Sequence, residues 1–124
     1  MFQVCKTFSF DAAHILLGYN GKCANLHGHH WEAAVCIEGN TLDPVGMLID
    51  FGDVKRYLQQ TAGSYDHAML NDIPPYTDIN PTSENVAKAI FHSLQSKLAE
   101  SDPHLRVAYV QVWETPTSWA KYWE

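Results

Sequence analysis

The run HGHHWEAAVCIEG, His27 to Gly39, reads as one β-strand that closes at a Gly-Asn turn. Residues i and i+2 of a strand point the same way, so His27 and His29 face one side together on a rigid element. His30 points to the other side and reads as a structural or surface residue. Gly28 lets another group or backbone approach between the two imidazoles. This spacing suits zinc, which accepts nitrogen ligands and favours tetrahedral geometry. The run FQVCKTFSFDAAH, Phe2 to His14, alternates apolar and polar residues over part of its length and reads as a strand ending at a third histidine. Pairing of the two strands in a β-meander brings His14 beside His27 and His29. Three histidine ligands leave one position of the ion open, as a catalytic zinc requires.

The stretch KCANLHGHHWE adds Cys23 to this cluster. Two readings of Cys23 stand. It is a fourth ligand that closes a structural site, or a thiolate base or nucleophile beside an open metal; a neighbouring cation favours the thiolate in both. Cys5 and Cys36 sit in strand-like runs and are expected to be reduced core residues, since three cysteines make a poor disulfide framework.

Residues 1–124 fit one domain, and a hydrophobic share of 46% suffices for one core. The net charge of −6, with no block of Lys or Arg, argues against nucleic acid as a partner. No apolar run approaches membrane-spanning length, and MFQVCKTFSF lacks the features of a signal peptide, so a soluble, cytoplasmic protein is expected.

Further along, MLIDFGDVKRYLQQTAG becomes helical after Asp50, with Phe51, Val54, Tyr57 and Leu58 at helical spacing. Residues 64–81 carry three prolines and read as a long functional loop. A second helix starts at the Pro81-Thr82 cap, with Glu84 in its first turn and Val86, Ile90, Leu94 and Leu98 along one face. LRVAYVQVWE and SWAKYWE read as the last two strands. Trp113, Trp119, Tyr122 and Trp123 are expected in the core or at a subunit interface. His92 falls inside the second helix and His104 ahead of the third strand, outside the metal cluster. The order β-β-α-α-β-β suggests an α+β fold, an antiparallel sheet with two helices on one face.

Six blocks, FDAAH, KCANLHGH, LIDF, DHAMLN, PTSENVA and VWETPTSWAKY, occur in an order that resembles the 6-pyruvoyl-tetrahydropterin synthase superfamily. The resemblance covers nearly the whole chain and is nearest to the branch that forms a 6-carboxy product in queuosine and deazapurine biosynthesis. It implies the T-fold, in which three subunits close their sheets into a barrel and two trimers stack into a hexamer. Such closure also removes the sheet edges of a lone subunit. It implies Zn2+ held by His14, His27 and His29, a catalytic Cys23 and an Asp66-His67 acid/base pair. It also implies a pterin-anchoring Glu114, with Thr82, Ser83 and Glu84 lining the pterin pocket. The implied substrate is 7,8-dihydroneopterin triphosphate; Lys22, Lys55 and Arg56 are available to its phosphates.

Within the superfamily, the block CxxxHGH is short between Cys23 and His27, whereas the pyruvoyl-forming branch typically carries a longer insertion there. A loop shorter by a couple of residues moves the thiolate several ångströms, at about 3.3 Å per extended residue, and proton transfer needs hydrogen-bond reach. The expected products are therefore 6-carboxy-tetrahydropterin, acetaldehyde and triphosphate. The alternatives are a 6-pyruvoyl-tetrahydropterin synthase or a dihydroneopterin aldolase-like enzyme. A reading from another class is a zinc-stabilised binding module closed by one cysteine and three histidines.

Overall fold

The computed structural model describes residues 1–21 and 24–124. Strand β1 (Phe2–His14) pairs antiparallel with β2 (His27–Gly39) along its whole length, from Phe2↔Gly39 to His14↔His27. Helix α1 (Phe51–Ala62) follows, then a two-residue strand β3 (Ala68–Met69), helix α2 (Ser83–Ser101), β4 (Arg106–Thr115) and β5 (Ser118–Tyr122). The sheet order is β3-β1-β2-β4-β5. Both helices start where the sequence provides a cap: the Asp50 carboxylate accepts from the Gly52 amide, and the Thr82 hydroxyl accepts from the Asn85 amide.

The α+β arrangement expected from the sequence is the one observed, with one addition. The segment 64–81 is not a plain loop. It contains β3, which runs parallel to β1 through Ala12↔Ala68 and Ala13↔Met69, so the sheet is not purely antiparallel. Two residues are too few for a period to be read. They are a strand only because β1 has a free edge there.

Alternation gives the sheet two faces. One carries Phe10, Trp31, Val35, Val110 and Val112 and is covered by the helices: α2 lies on β4 and β5, and α1 on α2 and β1. The other face is left open by the helices. Trp119 and Trp123 are exposed at 56% and 64%, on the edge strand and just beyond it, whereas Tyr122 packs against Phe91 of α2. Cys5 and Cys36 correct the expectation of reduced core thiols. The register sets them directly opposite each other with Cα atoms 4.1 Å apart, and their sulfurs are joined. Their separation of 31 residues hides this pairing in the sequence.

Trp31 is fully buried, stacks on Phe10 and donates its indole N–H to the Ala12 carbonyl at 3.2 Å. Trp31→Ala is expected to cost about 3–5 kcal/mol, read as a lower urea midpoint.

Candidate functional site

The β1–β2 register brings three imidazoles together on the helix-covered face. His14 faces His27 directly, and Ala12 faces His29 one pleat further on. One ring nitrogen from each of His14, His27 and His29 lies within 4.8 Å of the others. Trp31 forms an apolar floor beneath His14 and His29, at ring-centroid distances of 5.0 and 5.7 Å.

Backbone carbonyls select the tautomers. A carbonyl only accepts, so His14 Nδ1–H donates to Pro81 O at 2.9 Å and His27 Nδ1–H donates to Asn25 O at 2.6 Å. Each neutral ring then carries its lone pair on Nε2. Those two Nε2 atoms are 3.0 Å apart. The buried Nε2 of His29 has no hydrogen-bond partner among the described residues. The Glu114 carboxylate stands 3.2 Å from His14 Nε2 and 3.7 Å from His29 Nε2. Two facing lone pairs, an orphaned buried nitrogen and a carboxylate are mutually unfavourable until a cation lies among them. Tetrahedral zinc with bonds near 2.0–2.1 Å would hold its nitrogens about 3.3 Å apart. The donor set therefore fits a metal ion, with the carbonyls orienting the ligand rings. Burial pushes the His14 and His29 imidazoles below their ordinary value of 6.5, against the opposing pull of Glu114. That keeps them neutral and competent as ligands.

The other expected residues fall into different places. Glu114, near the end of β4, joins the histidines. Thr82 caps α2 and Ser83 begins it; the link between this segment and the histidines is the Pro81 carbonyl. Glu84 lies on the rim of a depression of about 910 Å3 shared with Trp119, Ala120 and Trp123. Asp66 and His67 sit on the open face with Asp11 and His30, beside a depression of about 520 Å3 floored by Gly28. Among the described residues, a Cβ at Gly28 would meet only Ala12 O, at 3.8 Å, so their packing does not require glycine there. Asp66 and His67 meet although they are sequence neighbours, because His67 adopts a left-handed backbone with φ 57°. Its Nδ1 lies 3.0 Å from Asp66 Oδ2, within ion-pair distance. Cys23 and Lys22 lie outside the described residues. Of the other cations, Arg56 pairs with Asp53 on α1, and Lys55 lines a groove beside the β1 edge with Lys6 and Asp66.

A model of the 6-pyruvoyl tetrahydropterin synthase family matches residues 3–124. The chain belongs to that family of enzymes. A relative from Haemophilus influenzae named 6-carboxy-5,6,7,8-tetrahydropterin synthase is 33% identical, with all of both chains covered. One of the same name from Synechocystis is 38% identical, over 98% of this chain and 93% of its own. Caenorhabditis elegans 6-pyruvoyl tetrahydropterin synthase superposes with a TM-score of 0.87 at 30% identity, covering 99% of this chain and 95% of that one.

Two asparagines of this family member were not legible as site residues. The Asn71 amide accepts from Ile15 N–H and donates to Ile15 O, both at 2.9 Å. Asn80 does the same for Leu17, at 2.9 and 2.7 Å. Together they hold the chain as it leaves His14. Their only signal in the sequence is position, inside DHAMLN and just ahead of Pro81-Thr82.

His27→Ala and His29→Ala are expected to lose bound metal, measured by elemental analysis of purified protein. The metal-free protein should also lose stability on acidification. His14 and His29 have folded values below 6.5, so the unfolded chain binds more protons between the two. Stability is retained above 6.5 and falls as pH drops through the folded values, read as a falling urea midpoint in chelator. A midpoint that rises on acidification contradicts this.

Proposed function

We propose that the chain is a zinc-dependent lyase, a 6-carboxy-5,6,7,8-tetrahydropterin synthase acting in queuosine and deazapurine biosynthesis. It converts 7,8-dihydroneopterin triphosphate and one water to 6-carboxy-5,6,7,8-tetrahydropterin, acetaldehyde and triphosphate. The observation that carries this reading is the convergence of three imidazole Nε2 atoms, one orphaned, beside Glu114 in a chain whose relatives bear that name.

His14, His27 and His29 would hold the ion. Bound zinc supplies Lewis acidity to the hydroxyls of the substrate side chain. Glu114 accepts two parallel hydrogen bonds from the guanidine-like edge of the pterin, which fixes the ring. Cys23, as thiolate, removes a proton from the side chain. His67 is the second acid/base, and Asp66 supports its charge through the 3.0 Å contact of its carboxylate with Nδ1. Thr82, Ser83 and Glu84 border the pterin pocket.

The metal ligands and the Asp66-His67 pair lie on opposite faces of one sheet. That supports a homo-oligomer, a dimer of trimers, in which a site takes its ligands from one subunit and its acid/base pair from another. A second reading, formation of a 6-pyruvoyl product, is favoured by the likeness to the nematode 6-pyruvoyl tetrahydropterin synthase.

Mass analysis after incubation with dihydroneopterin triphosphate separates the two. Acetaldehyde and a 6-carboxy pterin are expected; a pterin keeping all three side-chain carbons establishes the second reading. Cys23→Ala is expected to keep its metal and fold while losing most turnover; loss of metal with activity favours the closed-site module. Mixed oligomers of inactive Cys23→Ala and His67→Ala subunits should regain part of the activity. A fully active monomer by light scattering rules out shared sites.

A further inference from the structure

Asp11 sits in the middle of the Asp66-His67 arrangement, and neither the metal site nor the core uses its side chain. Its backbone grips both members of the pair: Asp11 N–H donates to Asp66 Oδ1 at 2.9 Å, and His67 N–H donates to Asp11 O at 2.6 Å. The first contact is the main reason the Asp66 carboxyl is held below its usual range, with the His67 ring adding to it. The second secures His67 in its left-handed conformation, which a non-glycine residue holds only where its surroundings impose it. The Asp11 side chain is fixed in turn. His30 faces it across β1 and β2, and His30 Nδ1 donates to Asp11 Oδ1 at 2.7 Å. An Asp11 carboxylate oxygen, an Asp66 carboxylate oxygen and a His67 ring nitrogen all lie within 4.8 Å of one another.

The geometry points to Asp11, braced by His30, as a positioning residue that sets a second carboxylate beside His67. This rests on the acid/base role given to His67 above. Asp66 holds one ring nitrogen directly. Asp11 contributes through space, as a fixed negative charge that favours the ring when it takes a proton during turnover. Exposed charge pairs add little to folding stability, and His67 is 80% exposed in the single chain. The network is therefore to be sought in turnover rather than in unfolding.

The test compares Asp11→Asn, Asp11→Glu, His30→Gln and His67→Ala in the zinc-loaded oligomer, with zinc content and circular dichroism measured for each. Asp11 is exposed, so none of its replacements disturbs the core. Asn is nearly isosteric, keeps the backbone contacts and still accepts from His30, but lacks the charge. Glu keeps the charge and changes the length. We expect Asp11→Asn to lower kcat about tenfold, a part of the 10²–10⁴-fold typical of a positioned acid or base. KM and zinc content should stay close to wild type, and Asp11→Glu should retain more turnover than Asp11→Asn. His30→Gln, which keeps a side-chain N–H for Asp11, should retain most of it. A merely structural role reverses the order of Asn and Glu or makes them equal, and either result overturns the inference. Wild-type kcat in Asp11→Asn does the same. If His67→Ala is inactive and only the Asp11 series fails, the function proposed above stands. If His67→Ala turns over normally, the acid/base role of His67 falls and the role of Asp11 falls with it.

Discussion

The pairing of β1 with β2 is the constraint on which the rest depends. Its register sets His14 against His27, Phe10 against Trp31 and Cys5 against Cys36. A slip of one residue would send one strand's side chains to the opposite face. The same hydrogen-bonded ladder thus decides that three imidazoles converge and that the core closes beneath them on Trp31. Pairing continues through thirteen residues of each strand, so the three histidines are held on sheet rather than on loop.

Segment 64–82 acts as a strap along the end of β1. Its contacts run in order: His67 on Asp11, β3 on Ala12 and Ala13, Asn71 on Ile15, Asn80 on Leu17, and Pro81 on the His14 ring. Each asparagine satisfies both polar groups of one backbone residue, which a carboxylate cannot do because it lacks a donor. The strap orients the most buried of the histidines and carries Asp66 and His67. A long, proline-bearing segment with only short regular pieces of its own thus borders the histidine cluster.

The two faces of the sheet divide the chemistry. Burial on the helix-covered face lowers the His14 and His29 values and so favours their neutral forms, the forms in which imidazole can bind a metal. The open face keeps Asp66, His67, Asp11 and His30 in contact with solvent, where proton exchange is easy but a charged substrate would be poorly enclosed. One chain therefore holds the histidine cluster and the Asp66-His67 pair on opposite faces.

The sequence by itself determined the long strands and both helices, and that His27 and His29 share a face, because these are written in short-range periodicity. His27 and His29 share a face through the period of two, and the caps at Asp50 and Thr82 mark their helices. The resemblance to a pterin synthase family added Glu114 and the Asp66-His67 pair, whose meaning no local pattern carries. Only the tertiary structure decided that β3 exists and that Cys5 meets Cys36. It alone joined Asp11 to His67, and Asn71 and Asn80 to the chain leaving His14. These contacts bridge 31 to 63 residues, and hydrogen bonds between residues so far apart leave no period in the chain. Three-dimensional closure alone brings their partners within reach.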